Sequence, residues 1–199
     1  MKFQESVDAV LRTAKNYETI RDEKPGKEAD LRTKYVGEYL TSELAKLDDE
    51  LANAKEVKDK TFHDTQTALL GELAAMKAEA AKKGAADSLD GTKISPDWKL
   101  LELPTVLTVE QVQILADRHQ DNPLFIKALK DYQEKHKFAV CANFSNRYDR
   151  LGIDICNLYS KMSFYLTHPV GTRFFRDNPR ILTERVNNLK ESYEAARRS

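Results

Sequence analysis

From about Lys27 to Lys83 the chain carries no proline, and Gly37 and Gly71 are its only glycines. The residues between are mainly Ala, Leu, Glu and Lys, the best helix formers. One helix over that span would be roughly 80 Å long at 1.5 Å per residue. Leu40, Leu44, Leu47, Leu51 and Ala54 open a heptad seam, but its next positions fall on Lys58 and Thr61. A longer period keeps the stripe intact: Leu40, Leu51, Phe62 and Leu73 are spaced evenly, as are Val36, Leu47, Leu69 and Ala80 with Lys58 the exception. An eleven-residue repeat gives about 3.67 residues per turn and holds the stripe on one face with little supercoiling. Whatever this chain folds into must cover that face.

The segment before it offers limited cover. Phe3, Val7, Val10, Ala14 and Tyr17 alternate spacings of four and three, which predicts a helix over about 2–22. "DEKPGK" ends it, because Pro25 cannot continue the backbone ladder and Gly26 frees the chain to turn. Such a helix reaches only about 30 Å. The long seam must therefore pack on the C-terminal half or on another copy of the chain, and a second copy is the usual outcome for an uncovered seam. The self-association residues expected on this reading are Leu40, Leu44, Leu47, Leu51, Phe62, Leu69 and Leu73.

Turn chemistry returns at "KKGAADSLDGTKISPDW". Gly84 is placed to cap the long helix, and Gly91, Ser95 and Pro96 prevent another from forming. Of 16 Phe and Tyr residues, 11 follow Trp98, which places a compact core there. Thr108 with Gln111 forms a capping box ahead of Val112, Leu115 and Ala116. The tripeptide Asp-Asn-Pro occurs at 121–123 and again at 177–179. Asn122 and Asn178 are favoured caps, and Pro123 and Pro179 suit the first helical position. Leu124, Phe125, Ala128, Leu129 and Tyr132 follow the first copy; Ile181, Leu182, Val186 and Leu189 follow the second. Between them Cys141, Phe144, Tyr148, Leu151, Ile155, Leu158, Met162 and Tyr165 form one three-four seam, with Ile153 and Phe164 adding burial on a second side. Phe174 and Phe175 pin the connection that follows. The reading is an all-α chain: an extended helical hairpin or coiled-coil arm over 1–83 (helices about 2–22 and 27–83), a loop over 84–107, and a small helical bundle over 108–199.

The totals exclude several classes of function. Lys plus Arg equal Asp plus Glu, 32 against 32, which argues against a strong generic nucleic-acid binder. The balance tilts along the chain: residues 1–100 hold 17 basic and 20 acidic side chains, and from Lys161 onward there are 8 basic against 4 acidic. No stretch approaches the ~18 apolar residues of a membrane span, and no apolar leader opens the chain. Cys141 and Cys156 on one helix would stand about 22 Å apart, too far for a disulfide, so the cytoplasm is the expected compartment.

Candidate sites dissolve on the same terms. Asp117, His119 and Asp121 suggest a metal, but residues two apart on a helix point away from each other. Arg147, Asp149, Arg150 and Asp154 read as surface charges, with Arg150 and Asp154 placed for a helical ion pair. His63, His136 and His168 have no partner at any telling spacing, and no phosphate-cradling glycine loop or nucleophile motif occurs. No catalytic, cofactor or metal residue is expected, and no enzymatic activity. Residues 108–120 and 122–136 invite a helix–turn–helix reading, but Asp121, Asp131 and Glu134 share the region and the turn glycine is missing, so two antiparallel packed helices fit better.

A long, charge-rich, seamed helix joined to a small aromatic bundle with a slightly basic end resembles the helical scaffold and minor structural proteins encoded by bacteriophages and prophages. The resemblance implies virion assembly, as a homo-oligomer serving a larger protein assembly in the cytoplasm or within a virion, and transfers no site residues. The alternative is a dimeric regulator that contacts DNA through Lys127, Lys130, Arg180 and Arg185.

Overall fold

A computed structural model describes residues 3–91, 94–167 and 179–198. Among them there is no strand, and the chain is all-α. The described residues form six α-helices, α1 Phe3–Lys34, α2 Gly37–Leu89, α3 Val109–Arg118, α4 Pro123–Lys135, α5 Arg147–Thr167 and α6 Pro179–Arg198, with a 3-10 helix at Pro96–Glu102. No described helix is long and apolar enough to cross a membrane.

The first two helices depart from the expected boundaries. Helix α1 does not stop near residue 22 but runs through Pro25 to Lys34. Proline removes one backbone hydrogen bond and crowds the preceding turn, yet Pro25 and Gly26 both lie on the exposed side. The opposite side keeps its hold on α2: Tyr17 lies under the Lys58 ammonium at 4.6 Å, and Lys24 pairs with Asp48 at 2.6 Å. As α1 advances α2 retreats, so the two are antiparallel. The turn falls instead at Tyr35–Val36, where Gly37 takes φ +65°, a left-handed backbone open to glycine. Helix α1 is therefore about 48 Å long rather than 30 Å, and it shields far more of α2 than the sequence pattern suggested.

Nor does Gly84 cap the long helix, which continues to Leu89. Its role is spatial: a methyl group there would overlap the Asp121 carbonyl oxygen and crowd Asn122. Ser95 and Pro96 likewise do not forbid helix. The Ser95 hydroxyl accepts from the Asp97 N–H and Pro96 opens the 3-10 turn, so the expected loop over 84–107 is in part helical.

The chain resolves into two compact units whose borders differ from an arm-and-bundle division: residues 1–70 with 154–193, and 71–153 with 194–199. The core of the first draws on four helices. Phe3, Val7, Val10 and Ala14 of α1 are buried, with Leu69 of α2, Ile155, Leu158, Tyr159 and Met162 of α5, and Leu182, Val186, Leu189 and Tyr193 of α6. Phe3 meets Tyr193 at 5.4 Å and Phe62 meets Tyr159 at 6.3 Å between ring centres.

The second unit is centred on Val112, Leu115 and Ala116 of α3 with Phe125, Leu129 and Tyr132 of α4. Its caps match the sequence reading. Thr108 and Gln111 form the reciprocal box, and the Asn122 side chain accepts from the Phe125 N–H with Pro123 in the first turn. In the second Asp-Asn-Pro, Pro179 is the first residue of α6; Asn178, like His168, Phe174 and Phe175, lies outside the described residues. Helix α5 begins later than its apolar seam implied. The Asn146 side chain accepts from the Tyr148 N–H at 2.7 Å and starts the helix there, leaving Cys141 and Phe144 off it. Ile153 and Phe164 are 60% and 47% exposed, so α5 is not buried on a second side.

Candidate functional site

The expected association face divides sharply along α2. Leu69 and Leu73 are buried by their own chain, at 0% and 4% exposure. Leu40, Leu44, Leu47, Leu51 and Phe62 are only half-buried. The reason is the number of helices at each level of the first unit. Where α5 and α6 join α1 and α2, side chains vanish from solvent. Between Ala14 and Ala54 no residue is buried, because among the described residues α1 and α2 have only each other there. Ile20 and Leu31 of α1 are half-exposed in the same stretch, and the two helices leave between them a cleft of about 240 Å³ that Leu31 and Leu47 line. At the turn Val36 is 86% exposed, and Tyr35 meets Tyr39 at 4.7 Å in an exposed pair.

Charged side chains hold this two-helix stretch in register. Lys24 joins Asp48 across the pair and Glu28 along it at 3.2 Å, and both contacts raise its pKa. Arg21 reaches Asp22 at 2.8 Å, while Lys27–Glu23 and Lys46–Glu43 pair within their own helices. Lys58 accounts for its own exception to the eleven-residue stripe. It is buried, its ammonium 3.0 Å from Asp59 and stacked on Tyr17. A buried cation at one seam position tolerates few alternative registers.

Other sequence candidates are occupied by structural partners. Asp117, His119 and Asp121 turn to different neighbours: Asp117 lies 3.6 Å from Arg150, His119 Nε2 lies 2.8 Å from Asp97, and Asp121 pairs with Arg147 at 2.5 Å. No group of three or more metal-binding side chains occurs among the described residues. Arg150 faces Asp117 and Gln120 instead of making the expected pair with Asp154, and Asp149 goes to Lys77 at 2.5 Å. Cys141 is exposed, Cys156 half-buried, and both are free. The His136 ring lies 4.4 Å from that of Tyr132.

The residues of the DNA-binding alternative are not gathered on one element. Lys127 and Lys130 stand on α4 in the second unit, and Arg180 and Arg185 on α6 in the first. Lys130 lies 5.5 Å over the Phe144 ring. Exposed Asp131 and Glu134 interrupt the α4 lysines.

Sequence reasoning missed the cluster that closes the 3-10 turn onto α3. One oxygen of Asp97 takes Arg118 and His119, each at 2.8 Å, and these contacts hold its carboxyl below the usual range. His119 stacks on Phe125 at 4.0 Å and Trp98 meets that ring edge-on at 4.8 Å. Separated by 21 and 22 positions, these groups carry no shared motif. Sequence also gave no sign that α5 and α6 line a polar cleft of about 240 Å³. Comparison with known proteins finds no matching family model, no matching curated protein and no matching solved structure.

Proposed function

We propose that the chain is a non-enzymatic structural or assembly protein that self-associates through residues 15–53 of its helical hairpin and presents its remaining helices to a larger protein assembly. The observation that carries the reading is the half-burial of Ile20, Leu31, Leu40, Leu44, Leu47 and Leu51 in a stretch with no buried residue at all. A second hairpin laid on the first would complete a four-helix cross-section, and a two-fold arrangement lets one surface serve both copies. Covering what remains exposed of a half-buried leucine is worth about 1 kcal/mol. Six such residues from each copy supply about 12 kcal/mol against an association cost of about 4–15 kcal/mol. The association is therefore concentration-dependent rather than obligate. The resemblance drawn from the sequence extends this role to virion assembly.

Sedimentation equilibrium over a concentration series tests it. The wild-type chain should shift from monomer to dimer, and Leu44→Asp with Leu51→Asp should hold it monomeric while circular dichroism stays helical. A wild-type chain that sediments as a monomer throughout refutes the proposal.

A further inference from the structure

We propose that the cleft between α5 and α6 in the first unit binds a small phosphate ester, its oxyanion held between Lys161 and Arg185. The cleft is about 240 Å³, room for a compact ligand rather than a single water. Asp154, Asn157 and Lys161 line it from α5 at spacings of three and four, and Arg185, Asn188 and Ser192 line it from α6 at the same spacings. Its floor is apolar, from buried Leu158 and Leu189. The walls thus offer two cations, a carboxylate, two amides and the Ser192 oxygen, whose proton goes to the Asn188 carbonyl, over an apolar base.

Neither cation is neutralised along its own helix, in contrast to several lysines of α1 and α2. Lys27, Lys34 and Lys46 each have a carboxylate three or four residues away and use it. Lys161 has Asn157 and Leu158 before it and Phe164 and Tyr165 after it at those distances; Arg185 has Ile181, Leu182, Asn188 and Leu189. No helical neighbour can neutralise either one, and neither makes an ion pair among the described residues. Tyr148 near the start of α5 and Ala196 near the end of α6 line one cleft, so the two helices run antiparallel, which sets Lys161 and Arg185 at one end of the α5–α6 cleft and Asp154 and Ser192 at the other. Two like charges at one end repel unless an anion lies between them. A phosphate does so, accepting from the ammonium and from the guanidinium fork.

Asp154 stands seven residues from Lys161, about 10 Å along the helix. Its usual helical partner Arg150 is turned to Asp117 and Gln120. Its carboxylate is an acceptor for ligand hydroxyls at the far end, while Asn157 and Asn188 bracket the middle. The complementary ligand has an oxyanion at one end and hydroxyl donors at the other, the chemistry of a phosphorylated polyol or sugar.

Isothermal titration of the full chain at fixed ionic strength, with ribose 5-phosphate, inorganic phosphate, ribose and a DNA duplex as probes, tests the assignment. Ribose 5-phosphate should bind with a Kd of about 1 mM or tighter, and more tightly than inorganic phosphate. Lys161→Ala and Arg185→Ala should each weaken it about tenfold, with helicity unchanged because both side chains reach solvent. Asp154→Asn should weaken ribose 5-phosphate but leave inorganic phosphate alone. The proposal is overturned if ribose 5-phosphate fails to bind, if both cation variants bind as the wild type does, or if only duplex DNA binds and loses affinity in those variants.

Discussion

Helix α2 contains two glycines in its interior, Gly71 and Gly84, whose surroundings predict substitutions of opposite sign. Alanine in a helix interior is favoured over glycine by about 1 kcal/mol, because glycine loses more backbone freedom on folding. At Gly71 an added methyl group meets nothing within 4 Å, so Gly71→Ala should stabilise the chain by that full amount. At Gly84 the methyl overlaps the Asp121 carbonyl oxygen, and the obstacle is backbone, which cannot swing aside. Moving it disturbs the joint between α3 and α4, where the Asn122 side chain accepts from Phe125 and donates to the Ser88 hydroxyl, and where Asp121 pairs with Arg147. Overpacking of this kind costs about 1–3 kcal/mol. Set against the propensity gain, Gly84→Ala should destabilise by about 1 kcal/mol, leaving the two variants about 2 kcal/mol apart. Urea unfolding followed by circular dichroism reads both, with the m-value checked because two compact units need not melt together. If Gly84→Ala raises the midpoint as much as Gly71→Ala does, α2 does not approach the α3–α4 joint as described.

Two further substitutions probe other parts of the chain. Pro25→Ala restores the N–H that the Arg21 carbonyl lacks and removes a clash, so it should stabilise α1 by about 3 kcal/mol; an unchanged or lower urea midpoint would mean that α1 ends at Pro25 after all. Asp97 is held below its unfolded pKa of about 3.9 by His119 and Arg118, so its contribution is present above that value and is lost as the pH falls through the lower, folded one. Asp97→Asn should therefore lower stability at pH 6 and narrow the gap to wild type at pH 3, and a gap that stays constant between those pH values contradicts the pairing.

Local signals in this sequence proved readable wherever packing had no reason to overrule them. The Thr108–Gln111 box and the Asn122–Pro123 cap lie within one turn of the backbone groups they serve, and both stand where the pattern puts them. Pro25 is an equally clear local signal, and there the contacts with α2 prevailed. The hint lay in Tyr17, Arg21, Lys24, Glu28 and Leu31, which keep the three-four spacing across the proline and are all half-buried. Three of the five are charged, so the row does not look like a seam. Cys141 and Phe144 misled in the reverse way: they extend the α5 pattern by arithmetic, but Asn146 starts the helix after them. The leucine face of α2 was legible from its period, whereas the division between its covered and half-covered parts depends on the length of α1 and on the return of α5 and α6. Spacing within one helix cannot report either.

The composition of that misleading row bears on how the hairpin works. In the stretch without buried residues α2 contributes Leu40, Leu44, Leu47 and Leu51, while α1 contributes Tyr17, Arg21, Lys24, Glu28 and Leu31. Lysine and arginine lay their aliphatic stems along apolar surface and keep their charged ends in water. Lys24 does this by ending on Asp48 and Glu28, and Arg21 by ending on Asp22. Stems cover leucines without excluding solvent from them, which is why these leucines stop at half-burial instead of reaching the full burial of Leu69. An obligate coiled coil places apolar rows on both helices; here only one row is apolar, and the other is a charged lid. Such a pair can exist alone, yet it retains apolar surface that a second hairpin could cover, and the energies involved match reversible assembly better than permanent assembly. Lys58 marks the boundary between the two regimes: above it in sequence Thr65 and Leu69 are closed over by four helices, and below it the leucines wait behind a lid of charge.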